Sequence, residues 1–142
     1  MTLTDSLSSH AEDDSPMEPG AATIYVCITC RRPADADDAP RPGAALANET
    51  LRAAEGSGVA VKAVRCLANC KRACSAAVRR TNGWTYVFGD LDATSDAAAL
   101  VAGAQLFLGA ADGLMPWRGR PECLKRGLIA RVPPIDFTEP LE

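Results

Sequence analysis

Apolar positions along the chain fall into short strand-like runs and stretches with a period near 3.6. Thr23-Ile24-Tyr25-Val26-Cys27-Ile28 is β-branched and aromatic, and predicts a buried strand. Residues 31–42 carry Pro33, Pro40, Pro42 and three aspartates, which break regular structure and predict a loop. Pro42 can open a helix, with Ala44, Ala47, Leu51 and Ala54 on its apolar face and Gly56-Ser57-Gly58 as its stop. Val59 to Val64 is a second strand, mostly apolar on both faces as parallel strands are. Two further strand-like runs, Ala76 to Arg80 and Trp84 to Phe88, flank Thr81-Asn82-Gly83, a strong hairpin signal. Trp84, Tyr86 and Phe88 alternate onto one face, which predicts core packing. Thr94 or Ser95 is expected to cap a last helix running through Ala111, with Leu100, Val101, Ala104 and Leu108 on its apolar face and Gly113 ending it.

The expected order is strand, helix, strand, hairpin, helix. A helical crossover makes the first two strands parallel. The expectation is therefore an α/β, thioredoxin-like fold with a four-stranded mixed sheet and two main helices. Residues 1–22, polar and acidic, are expected to be a disordered tail. Residues 23–113 are the expected domain. Residues 114–142, with Trp117 and Lys125-Arg126, are expected to form an extension packed on it.

Composition narrows the function classes. The net charge of −3 gives no overall footprint for nucleic acid. The charge is uneven: Asp5, Glu12, Asp13, Asp14 and Glu18 lie in the tail, and without them the chain is slightly basic. The sole histidine, His10, also lies in the tail, so the body has no imidazole. No secretory signal and no run of about 18 apolar residues is visible. The expectation is a cytoplasmic protein without membrane contact, compatible with a homodimer. No nucleophile–base pair, phosphate loop or paired carboxylates appear, so independent catalysis is not expected.

The chemistry sits in cysteine. Five of the six cysteines fall in two short segments, Cys27-Ile28-Thr29-Cys30 and the triplet Cys66, Cys70, Cys74. Without an export signal, such clustering favours metal or redox chemistry over structural disulfides. Four readings stand side by side: a [2Fe-2S] cluster, a Zn²⁺ site, a thiol–disulfide enzyme, and buried thiols without a ligand. The thiol–disulfide reading is weakened because a proline-rich loop, not a helix N-terminus, follows Cys30. Both cysteine groups follow the C-terminal ends of parallel strands, the edge where open α/β sheets place their ligands. Arg31, Arg32, Arg65, Lys71 and Arg72 surround that edge and suit an acidic partner. A helical Cys66–Cys74 segment would align its three thiols at i, i+4. Cys123 is expected to be incidental.

This strand order, with two cysteines after the first strand and Cys-x3-Cys after the second, resembles the thioredoxin-like [2Fe-2S] ferredoxins. It is also similar to the cluster subunit of respiratory and hydrogenase-type NADH dehydrogenases, whose Cys-Leu-Gly-x-Cys loop is close to Cys66-Leu67-Ala68-Asn69-Cys70. The resemblance implies a [2Fe-2S] cofactor held by Cys27, Cys30, Cys66 and Cys70, with a redox partner protein. Two departures are the close spacing of the first pair and the extra Cys74, for which two readings stand: a fifth, swappable metal ligand, or a small buried residue starting the third strand. The whole chain after residue 22 more closely resembles an uncharacterised bacterial family predicted to bind metal. The matching stretches are the two cysteine segments, Gly83-Trp84-Thr85-Tyr86-Val87-Phe88-Gly89-Asp90-Leu91, Pro116-Trp117-Arg118-Gly119-Arg120-Pro121-Glu122, and Ile129 to Pro134. That likeness implies metal binding, with zinc or metal delivery in metal or cobalamin metabolism as the alternative to electron transfer.

Overall fold

The structure is a computed structural model that describes residues 21–29 and 41–141. The expected acidic tail lies outside the described residues except at its end, as do Cys30, the arginines that follow it and the proline-rich loop up to Pro40. The elements run β1 (Ala22–Cys27), α1 (Pro42–Ala53), β2 (Val59–Val64), a 3₁₀ turn (Cys70–Arg72), β3 (Ala76–Arg80), β4 (Thr85–Phe88), α2 (Ala97–Leu108), a short α3 (Cys123–Arg126) and β5 (Leu128–Val132). The sheet has five strands in the order β2-β1-β3-β4-β5. β1 and β2 are parallel and the remaining neighbours antiparallel.

The sequence expectation of four strands and two main helices is corrected at the C-terminal end. Residues 128–132 extend the sheet as β5, paired with β4 from Thr85↔Val132 to Phe88↔Leu128 across an irregularity at Val87/Phe88. The α/β class and the mixed sheet hold. β2 is an edge strand, so its outer positions are open, and Ala60, Lys62 and Ala63 are exposed. Lys62 on that edge is a charge of the kind that discourages further strand pairing.

Helices α1 and α2 pack on each other and on β1, and so share one face of the sheet. Ile24, Val26, Val78, Tyr86 and Phe88 form the buried layer beneath them. Tyr86 and Phe88 stack with ring centroids 6.2 Å apart. Phe107 of α2 meets Tyr86 edge-on at 5.3 Å and 82°, a favoured aromatic geometry. Gly103 lets α2 approach α3 closely, since a Cβ there would stand 2.3 Å from Leu124 Cδ1.

The start of α2 differs from the expected cap. Asp92 Oδ1 accepts hydrogen bonds from the backbone N–H groups of Thr94 and Ser95, both at 2.9 Å, and from the Thr94 hydroxyl. Those bonds hold the Asp92 carboxyl well below the usual carboxylate range. Residues 92–95 are thereby committed to a turn, and the helix begins only at Ala97. It also ends earlier than expected, at Leu108. There the Arg80 guanidinium donates to the Phe107 carbonyl at 2.8 Å and the Ala110 carbonyl at 2.6 Å. A cation at a helix C-terminus satisfies the orphan carbonyls and opposes the helix dipole.

Candidate functional site

The C-terminal end of β1 is the meeting point. Ile28 N donates to Val64 O on the β2 side at 2.9 Å, and Cys27 N donates to Ser75 O on the β3 side at 3.1 Å. β2 continues directly toward Cys66, and Cys74 immediately precedes Ser75. The topology thus brings Cys27 and both ends of the triplet segment to one edge of the sheet.

Each thiol has a distinct setting. Cys27 is 2 % exposed. Its Sγ donates to the Arg65 carbonyl at 3.7 Å and lies 3.7 Å from the Thr29 hydroxyl. The same Arg65 carbonyl accepts a hydrogen bond from the Thr29 hydroxyl, tying the chain after β1 to the chain after β2. The Arg41 guanidinium donates to Thr29 O at 3.2 Å from the start of α1. Cys66 is exposed. Its Sγ accepts a hydrogen bond from Ala68 N at 3.1 Å, in a loop that turns through a left-handed Ala68 with φ 58°. Cys70 opens the 3₁₀ turn. Cys74 is fully buried, and the Ala73–Cys74 peptide is cis. Cys30 lies outside the described residues.

The triplet segment is not an α-helix. Only Cys70–Arg72 is helical, as a single 3₁₀ turn, so no helix face aligns the three thiols. Asn69, Leu67 and Ala68 adopt loop conformations that interrupt any i, i+4 ladder. The loop is instead fastened to the sheet by 89–91: Asp90 N donates to Arg72 O at 2.7 Å and Leu91 N to Cys74 O at 3.0 Å. Gly89 is required in this seam, because a Cβ would lie 2.8 Å from Arg72 O and 2.6 Å from Ile129 Cδ1.

Of the basic residues expected around the edge, Arg72 is paired, its Nε 2.6 Å from Asp90 Oδ2. Arg65 and Lys71 are exposed and carry the positive field of this loop. Asn69 Nδ2 is buried and has no hydrogen-bond partner among the described residues. An orphaned amide donor costs free energy unless an acceptor reaches it. Sulfur of a thiolate or a cluster is an acceptor of this kind.

Among the described residues, no group of three or more His, Cys, Asp or Glu side chains is placed to hold a metal ion. The set of four cysteines would be completed by Cys30 and by the Cys70 side chain, which are outside that description. The donor chemistry present, Cys27 and Cys66 with a backbone N–H on the Cys66 sulfur and a spare Asn69 amide in the same loop as Cys66, fits a thiolate-bound soft centre.

Cys123 lies on α3 beside the Asp96 carboxylate. Burial, then Asp96, pushes its thiol up to about 11, which makes it a poor nucleophile at neutral pH. No helix among the described residues is long and apolar enough to cross a membrane.

Fold and site together define a small α/β protein in which the segments carrying Cys27, Cys66 and Cys74 meet at the end of its parallel strand pair. The chain belongs to the family described as protein of unknown function (DUF1636), whose model matches residues 24–134. No curated protein and no solved structure gives a significant match.

Proposed function

We propose that this is a small thioredoxin-like iron–sulfur protein that passes single electrons to a partner enzyme. Cys27, Cys30, Cys66 and Cys70 would hold one [2Fe-2S] cluster. The strand order β2-β1-β3-β4, with only the first two strands parallel, supports the thioredoxin-like reading. The observation that carries the function is the convergence of both cysteine segments on the end of β1, through the Val64 and Ser75 hydrogen bonds. When bound, the cluster would supply a one-electron couple. The protein's part is to exclude water around Cys27, to bond Cys66 Sγ from Ala68 N, and to offer the Asn69 amide to sulfur. Such N–H groups stabilise added negative charge. Arg65 and Lys71 would draw an acidic partner to the exposed Cys66 side.

Cys66→Ser and Cys70→Ser are each expected to abolish the visible chromophore of anaerobically reconstituted protein. Full retention in both variants would overturn the ligand set. Retention in one, lost on adding Cys74→Ser, would identify Cys74 as a replacement ligand.

A second reading is a zinc-binding or metal-delivery module linked to metal or cobalamin metabolism. It draws on the exposure of Cys66, since an exposed ligand is where a partner's thiolate takes over the ion. Transfer of Zn²⁺ to a competing thiolate peptide at unchanged redox state, faster than from Cys66→Ser, supports this reading.

A further inference from the structure

The segment Pro116 to Glu122 plays no part in the cysteine site, yet it contains a buried cation. Arg120 is 7 % exposed. Its Nε donates to Pro116 O at 3.1 Å and its Nη2 donates to Met115 O. The guanidinium carbon lies 5.4 Å from the Tyr86 ring centroid and 5.1 Å from that of Trp117. Tyr86 itself is fixed, its hydroxyl accepting a hydrogen bond from Met115 N at 2.9 Å. Carbonyls and π faces orient the charge without cancelling it. Among the described residues no carboxylate pairs with Arg120. A guanidinium has five N–H donors in a planar fork suited to a carboxylate, and the two carbonyls use only part of that set.

This cation faces a cavity of about 530 Å³, lined also by Tyr86, Met115, Trp117 and Arg131. Arg131 pairs with Tyr86 in the β4–β5 register, so both guanidiniums belong to the same face of the sheet. Burial pushes the Arg120 guanidinium below its usual value, against the favourable influence of the Tyr86 hydroxyl and with a smaller repulsion from Arg131. Among the described residues the one acid in the lining is Asp112, which is exposed and already accepts from Leu114 N at 3.1 Å. The walls otherwise are aromatic, aliphatic and thioether surface. The volume is in the range of small-molecule sites. β4 stands two strands from β1, about 10 Å at ordinary strand spacing, so this cavity is separate from the cysteine edge.

We propose that the cavity is a binding site for a small organic carboxylate with a flat apolar body. The carboxylate meets Arg120 and Arg131, and the body lies against Tyr86, Met115 and Trp117.

The test is titration of the full chain with benzoate, with neutral benzamide of the same shape and with inorganic phosphate, followed by calorimetry and tryptophan fluorescence. Benzoate is expected to bind at least tenfold tighter than benzamide. Arg131→Gln, at an exposed position whose guanidinium lies 4.5 Å from the Trp84 ring centroid, is expected to weaken benzoate severalfold and leave benzamide unchanged. Arg120→Met is expected to weaken benzoate more than tenfold where it folds. If it does not fold, the benzamide comparison and Arg131→Gln decide the question alone. Equal binding of benzoate and benzamide, no benzoate binding up to about 10 mM, or no effect of Arg131→Gln overturns the proposal. Phosphate binding as tight as benzoate overturns the assignment of a carboxylate.

Discussion

Gly113→Ala should be among the most damaging single-methyl changes in this chain, and Gly56→Ala its control. Both glycines are left-handed, with φ of 77° and 75°. An L-residue in that region costs roughly 1–2 kcal/mol, partly offset by about 0.4–1 kcal/mol of lost freedom in the unfolded chain. Gly56→Ala, with nothing within 4 Å of the new methyl, should therefore cost only about 1 kcal/mol. At Gly113 the methyl would stand 2.7 Å from the Asn82 carbonyl oxygen and 3.2 Å from Gly83 Cα. Both are backbone atoms of the β3–β4 turn. That turn cannot move freely, because Trp84 N donates to Gly113 O at 2.9 Å across the same contact. Relief by backbone displacement adds about 1–3 kcal/mol, for a total of about 2–4 kcal/mol. At about 3 °C per kcal/mol for a chain of this size, circular dichroism melts should show a drop near 3 °C for Gly56→Ala and about 6–12 °C for Gly113→Ala. Equal drops would refute the hairpin contact. Because residue 113 leads into the segment that walls the Arg120 cavity, Gly113→Ala should also weaken benzoate binding.

Arg80→Met removes the two hydrogen bonds to the end of α2 and the cation over the Phe107 ring at 5.5 Å. The expected loss is about 2 kcal/mol by urea unfolding, and a change under about 0.5 kcal/mol would show that the α2 terminus is held otherwise. Cys123 gives a pH signature. Its thiol is raised from 9.0 to about 11, so the unfolded chain loses that proton first. Its contribution to stability is complete below about 9 and is lost as pH rises toward about 11. Cys123→Ala should flatten this decline, and an unchanged alkaline profile would refute the assignment. In apo-protein at pH 8, iodoacetamide should label exposed Cys66 well before Cys123, and the reverse order would contradict their placement.

The parts of the fold legible in the sequence were those encoded locally. Proline at 42 and glycine at 56 bracket α1, β-branched runs mark β1 and β2, and Asn82-Gly83 marks the hairpin. β5 was not legible as a sheet strand, because Leu128-Ile129-Ala130 gains strand character only by pairing with β4 forty residues away. α2 starts later than its sequence predicts because Asp92's bonds to Thr94 and Ser95 compete with the caps those residues offer. At the site, placing Cys27 and Cys66 at neighbouring strand ends required only the parallel crossover. The conformation of the triplet loop did not follow from its spacing, since the 3₁₀ turn depends on the seam with residues 89–91. Arg120 was invisible for a related reason. In Trp117-Arg118-Gly119-Arg120 nothing local separates a solvated arginine from one enclosed by Tyr86 and Trp117.

The central claim is tested most directly by the visible spectrum of anaerobically purified full-length protein, with iron, acid-labile sulfide and zinc measured on the same sample. A brown protein with charge-transfer bands and about two iron and two sulfide per chain is expected. A colourless protein carrying about one zinc, in which anaerobic reconstitution also builds no cluster, would contradict it.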